Sequence, residues 1–326
     1  MTRIALMNDY QKVALRCADW GSLPADCKVE VFHDHPWEEA EIAARLAPFD
    51  IVMAMRERTP FPRSLLEQLP NLKLLATAGM RNAAIDVPAA TDLGILVCGT
   101  GGASEATAEI TWALILAVMR HVPREHRATQ EGGWQQTLGV MLRRKTLGLL
   151  GLGRIGGMVA AVGAAFGMRL IAWSQNLTDE RAAACGAEKV TFEALLRESD
   201  VLTIHTVLSD RTRGLLGEKE LALLKPGAFL VNSSRGPIIS EEALVNTLGA
   251  KAIAGAGLDV FDREPLPTDH PLLKLDNVVL TPHLGYVTEE VYRFFYGETL
   301  ENIAAFLKGE PTRVLNPDVL PKRRGR

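Results

Sequence analysis

The stretch Lys145-Thr146-Leu147-Gly148-Leu149-Leu150-Gly151-Leu152-Gly153-Arg154-Ile155-Gly156 decides how this chain folds. An apolar, strand-like run ends in G-x-G-x-x-G, and Gly- and Ala-rich helix-like sequence follows to about Phe166. A strand, a glycine turn and a helix in that order make a cradle for a dinucleotide. Gly151 allows the tight turn, Gly153 lets backbone approach a pyrophosphate, and Gly156 permits close helix–strand packing. The helix that opens at Arg154 and Ile155 points free N–H groups and a positive dipole end at the phosphates. Without that context the same pattern would be a glycine-rich turn with no ligand.

Strand and helix patterns alternate on both sides of this stretch. Towards the C-terminus, strand-like runs lie at 169–173, 201–205, 229–232, 254–258 and 278–281, with helix-like segments at 191–197 and 241–248. Towards the N-terminus they lie at 2–7, 29–32, 51–55, 72–77 and 95–98, with helical patterns at 37–46 and 64–69. This rhythm predicts an α/β fold of two doubly wound parallel sheets. A chain of 326 residues is long for one core. We therefore expect a domain at 101–288 inserted into a second domain built from 1–100 and 289–326. The segment 104–120 is apolar nearly all round, which predicts a helix buried between domains or subunits and so a homodimer.

Composition excludes several classes. Lys and Arg number 36 against 39 Asp and Glu, so no basic face is implied and neither nucleic acid nor an anionic membrane is an expected partner. The basic run at 322–326 reads as a solvated tail. Cys17, Cys27, Cys98 and Cys185 are scattered without metal or redox spacing, which fits reduced thiols in a cytoplasmic protein. The longest weakly polar stretch, 155–168, is too short to span a bilayer. His33, His35, His121 and His126 have no metal spacing, and Trp134 and Trp173 read as packing residues. We expect no metal.

Three further strands end in chemistry. Arg235 follows 229–232, Asp259 and Glu264 follow 254–258, and His283 follows 278–281. Open α/β sheets bind ligands outside the carboxyl ends of their strands, so these residues arrive beside the glycine loop. A guanidinium presents two parallel N–H donors to a carboxylate. An imidazole can give or take a proton near neutral pH, and a neighbouring carboxylate favours its charged form and fixes its tautomer. The strand after the glycine helix ends Trp173-Ser174-Gln175-Asn176, with no carboxylate to hold a ribose 2′-hydroxyl. The cofactor expected is NAD, with NADP left open, since Arg181 could reach a 2′-phosphate only if the loop folds back.

In order and approximate spacing, GLGRIG, LLKPGAFLVNSSRG, GLDVFDREPLP, HPLL and NVVLTPHLG resemble the D-isomer-specific 2-hydroxyacid dehydrogenase family over essentially the whole chain. The resemblance implies a Rossmann cofactor domain inserted into a flavodoxin-like substrate domain, and NAD(P)-dependent hydride transfer to a small 2-keto acid of the glyoxylate or hydroxypyruvate type. It implies that Arg235 holds the substrate carboxylate, His283 is the general acid/base, Glu264 is its partner, and Asp259 meets the nicotinamide carboxamide. It also implies that backbone N–H groups of the turn Ala78-Gly79-Met80 help bind the substrate carboxylate. Arg81 and an apparent extra residue before Ile85 depart from the family pattern, and whether Arg81 faces substrate or solvent stays open. His205 is expected to line the cofactor by its backbone, with a structural ring. Formate- or phosphite-type dehydrogenases and an NADH-sensing corepressor are the alternatives among similar families. Formate chemistry needs no proton acid, so Glu264 and His283 together favour the hydroxy acid.

Overall fold

Short runs of Val, Ile, Leu and Ala with no polar face suit the interior of a parallel sheet, which helices cover on both sides. In the computed structural model, which describes residues 1–102 and 104–324, the chain places such runs in two sheets. They belong to two compact units, Met1–Ala103 with Thr288–Arg326, and Ser104–Val287. The divisions fall at 103/104 and 287/288, against 100/101 and 288/289 expected from the sequence.

In the first unit, β1 (Thr2–Leu6), β2 (Cys27–Val31), β3 (Ile51–Ala54), β4 (Leu74–Thr77) and β5 (Leu96–Gly99) form a parallel sheet in the order β2-β1-β3-β4-β5. Every side chain of β3, β4 and β5 is buried. Ile42, Leu46, Phe49, Leu65 and Leu66 cover one face. The helix Glu289–Leu307, capped by Thr288 through its bond from the Val291 N–H, packs on β4 and buries Phe295, Tyr296 and Ile303. The basic C-terminal run is not simply solvated. Arg324 donates to the carbonyls of Leu69 and Leu72. Residues 325–326 lie outside the described residues.

In the second unit, β6 (Thr146–Leu150), β7 (Arg169–Trp173), β8 (Glu188–Lys189), β9 (Val201–Ile204), β10 (Phe229–Asn232), β11 (Gly255–Leu258) and β12 (Val278–Leu280) are parallel in the order β12-β11-β10-β9-β6-β7-β8. The two-residue edge strand β8 was not read from the sequence, because both its residues are charged and exposed. The helix Glu105–Met119 packs on β10, β11 and the helix Arg154–Ala165, burying Trp112, Leu114, Ile115, Val118 and Met119. Each such large apolar side chain contributes roughly 1.5–3 kcal/mol. Its all-round apolarity is thus largely met inside its own unit, which removes the reason for which it suggested a dimer. Trp173 packs on Phe192 at 4.7 Å between ring centroids. Trp134 does not pack: it is 76% exposed, on an irregular segment where Leu138 is 93% and Met141 is 74% exposed. No helix among the described residues is long and apolar enough to cross a membrane.

Candidate active site

The carboxyl ends of the second sheet are level. Leu150 pairs with Trp173 on one side and Ile204 on the other, Ile204 with Asn232, Asn232 with Leu258, and Leu258 with Leu280. Chain order reverses between β6 and β9, so the loops after these two strands part and leave the crevice where ligands bind.

The glycine loop sits at that reversal. Gly151 has φ +101, and a Cβ there would lie 2.8 Å from the His205 carbonyl carbon and the Thr206 nitrogen. A Cβ on Gly156 would lie 2.3 Å from the Gly151 oxygen, so the helix needs glycine to start this close to the strand. At Gly153 a Cβ would meet nothing within 4 Å, and this residue gives the helix Arg154–Ala165 no side-chain cap. Open space over an uncapped helix N-terminus fits a pyrophosphate. Arg154 and Ile155 form the first turn, with Arg154 Nη1 3.5 Å from Ser104 Oγ. Ser174 follows β7 half-buried, and Arg181 reaches back to donate to the carbonyls of Leu152 and Gly153. The His205 ring lies 3.0 Å from Thr203 Oγ1, and burial pushes its pKa down to about 4, so it stays neutral and structural.

Beyond β11 and β12, His283 Nδ1 and Glu264 Oε2 lie 2.6 Å apart. An ionised carboxylate only accepts, so Nδ1 carries the proton in this bond and Nε2 is the atom left for chemistry. Glu264 is held in turn by the Phe261 N–H, which donates to Oε1 at 2.9 Å. His283 has φ +55, a conformation unusual for a non-glycine residue. Asp259 explains how that conformation is maintained. Its carboxylate accepts from Thr281 Oγ1, from the Leu284 N–H at 2.8 Å and from the Gly285 N–H at 2.8 Å, clamping the chain on both sides of His283. Asp259 is fully buried, and desolvation raises its pKa despite these three donors. The side chain expected to meet the nicotinamide therefore has most of its acceptor capacity engaged within the protein.

Arg235 stands three residues beyond β10 in extended backbone, its Nη1 donating to the Ser234 carbonyl at 2.7 Å. Buried Asn232 bridges its loop, accepting from the Ser234 N–H and donating to the Arg235 carbonyl. Ser234 Oγ donates to the Thr206 carbonyl at 2.6 Å, tying this loop to the one after β9. A Cβ on Gly236 would lie 2.1 Å from the Phe261 carbonyl carbon. The loops carrying Arg235 and Glu264 are thus in direct backbone contact.

In the first unit, Ala78, Gly79 and Met80 do form a turn after β4, with Gly79 at φ +90. The Ala78 N–H donates to Ala54, and the Gly79 N–H donates to Thr100 Oγ1 at 2.8 Å. Of the three N–H groups, only that of Met80 is unengaged among the described residues, which narrows the anion-binding expectation to it. Arg81 is exposed. Arg56 lies against this turn instead, its Nη1 donating to the Ala78 carbonyl at 3.1 Å, and Asn82 bonds both Arg56 and Thr77. Sequence reading missed Arg56, Asn82 and Ser234, since their roles depend on long-range packing. A pair that motif reading could have found is His270 with Glu241, 3.2 Å apart, because HPLL had already been singled out. No group of three or more metal-ligating side chains occurs among the described residues.

Residues 112–285 match the family model for the NAD-binding domain of D-isomer specific 2-hydroxyacid dehydrogenases. A glyoxylate reductase from Aeropyrum pernix is 46% identical over 270 residues, covering 79% of this chain and 81% of the relative. A D-3-phosphoglycerate dehydrogenase from Synechocystis is 39% identical over 295 residues, covering 88% of this chain and 53% of that one. The crystal structure of a phosphoglycerate oxidoreductase from Vibrio cholerae superposes with a TM-score of 0.90 at 36% identity, covering 95% of this chain and all of that chain. The chain belongs to the D-isomer-specific 2-hydroxyacid dehydrogenase family and is an NAD(P)-dependent oxidoreductase acting on 2-keto and 2-hydroxy acids.

Proposed function

We propose that this enzyme reduces a small 2-keto acid of the glyoxylate or hydroxypyruvate type to its 2-hydroxy acid, the D-isomer where C2 becomes a stereocentre, with Arg235, Glu264 and His283 carrying the reaction. The observation that supports it most is the 2.6 Å His283–Glu264 bond on the strand edge that also bears the glycine loop. Gly151, Gly153, Arg154, Ile155 and Gly156 would hold the pyrophosphate, with Ser174 at the adenosine ribose. The bound nicotinamide supplies a hydride to C2. Arg235 pairs with the substrate carboxylate and draws electron density from the neighbouring carbonyl. As the C=O π electrons move onto oxygen, His283 Nε2 gives that oxygen its proton, and Glu264 stabilises the imidazolium beforehand. In the oxidative direction the imidazole takes the proton back. Asp259 holds the His283 loop and keeps a place at the nicotinamide edge, while Ala78, Gly79 and Met80 are retained as substrate-binding residues, chiefly through the Met80 N–H.

Replacing His283 by Asn tests this. Turnover of glyoxylate should fall by about 10³-fold or more while nucleotide affinity, measured by titration calorimetry, stays unchanged. Turnover within tenfold of the parent would remove His283 from the acid/base role.

We also propose a homodimer, on a surface other than the one first expected. Trp134, Leu138 and Met141 expose apolar area along one segment, as interaction surfaces do. Leu138→Arg should convert a dimer to a monomer by light scattering, and a monomeric parent would contradict the proposal. A cytoplasmic setting is supported by four cysteines that are all free.

A further inference from the structure

The end of β7 carries an unusual pair of features. Ser174, Gln175 and Asn176 stand where a carboxylate would hold a ribose 2′-hydroxyl and repel a 2′-phosphate. Thr178 then caps the helix Asp179–Ala184 by accepting from the Arg181 N–H, which fixes Arg181 in the first turn. From there its guanidinium returns to the glycine loop, with Nε 3.2 Å from the Leu152 oxygen and Nη2 3.1 Å from the Gly153 oxygen.

Both acceptors are neutral carbonyls. Among the described residues Arg181 has no carboxylate partner. Asp179 pairs with Lys189 at 3.5 Å, and the Glu180 carboxylate bonds its own backbone and Thr178. A full positive charge is therefore held beside the glycine loop, accessible to solvent and without a counter-ion. Bracing two carbonyls needs donors but no net charge, so the charge itself points to an anion.

We propose that the enzyme selects NADP(H) over NAD(H), with Arg181 and Ser174 receiving the 2′-phosphate of the adenosine ribose. A guanidinium offers paired N–H donors to phosphate oxygens, and the Ser174 hydroxyl adds a third. The inference rests on the dinucleotide reading of the glycine loop and names which dinucleotide that loop takes.

Titration calorimetry of the full chain with NADPH and with NADH, without substrate, separates the two. NADPH should bind about tenfold to a hundredfold tighter. Arg181→Gln keeps an amide donor for the loop carbonyls and removes the charge. It should weaken NADPH to within about twofold of NADH and leave NADH affinity unchanged. Ser174→Asp, at the strand end, should invert the preference. Equal or tighter NADH binding by the parent overturns the proposal, as does an Arg181→Gln variant that loses both cofactors equally. Binding of neither cofactor by the parent overturns the dinucleotide reading and this proposal with it.

Discussion

The two sheets are built alike at their amino edges and differently at their carboxyl edges. Asp50, just before β3, accepts from the Arg3 N–H at 2.9 Å and from Lys73 Nζ at 2.9 Å. Asp200, just before β9, accepts from the Thr146 N–H at 2.7 Å and from Lys225 Nζ at 2.9 Å. In each unit the aspartate joins the first strand to the two that follow the reversal of chain order. Burial alone would raise both carboxyls, but the N–H and lysine partners outweigh it and hold both below the usual range.

At the carboxyl edge of the first sheet the polar groups mostly satisfy one another. Asp9 accepts from the Val13 and Ala14 N–H groups, Thr59 Oγ1 donates to Asn8, and Arg58 donates to the Asn8 carbonyl and the Tyr292 hydroxyl. At the carboxyl edge of the second sheet, an uncapped helix N-terminus, the Nε2 of His283 and an Arg181 charge with no carboxylate partner are left available among the described residues. Two doubly wound parallel sheets thus differ at this edge in degree, the first leaving mainly the Met80 N–H unengaged among the described residues and the second leaving side chains.

The largest effect that would break this contrast is at Gly236. A Cβ there meets backbone of the neighbouring loop, which cannot move aside, so Gly236→Ala should cost about 3 kcal/mol in urea unfolding and depress turnover as well. At Gly79 an added Cβ would lie 1.9 Å from Arg56 Nη1, the end of a flexible side chain. Gly79→Ala should therefore cost only about 1–2 kcal/mol, mostly from its positive φ. If Gly79→Ala proves the more damaging, the first edge is not the adaptable one.

The aspartates at the amino edges sharpen the other half of the contrast. Their folded pKa values are depressed, so their stabilisation is present above the ordinary carboxylate range and is lost as pH falls through the lower folded values. Asp50→Asn and Asp200→Asn should each cost about 1–2 kcal/mol at pH 7 and flatten the acid limb of stability below about pH 4. Thermal unfolding across pH 2–7 checks this. Unequal effects would show that the two edges only look alike.

Most of this architecture was legible in the sequence because buried parallel strands leave unbroken apolar runs. Ile51–Ala54 and Phe229–Asn232 are of this kind. The misses share a cause. Glu188–Lys189 is a two-residue strand of charged, exposed side chains, and Val122–Gln130 is a mostly polar helix with only Ala128 buried. In the site, Arg235, Glu264 and His283 could be placed because each follows a strand end at short range. The clamp that Asp259 puts on residues 281–285, the Thr100 bond that engages the Gly79 N–H, and the return of Arg181 to the glycine loop all depend on contacts more than twenty residues apart. Trp134 misled because an aromatic in a chain of this size is more often inside than outside.

The central claim is that His283 and Glu264 act as one acid/base unit. Steady-state kcat for glyoxylate reduction by the parent, His283→Asn, Glu264→Gln and the double variant tests it most directly. Groups that act as a unit lose their effect together, so the double variant should fall no more than about threefold below His283→Asn alone. Losses that multiply across the two single variants would mean that Glu264 works independently of His283, and the account would be wrong.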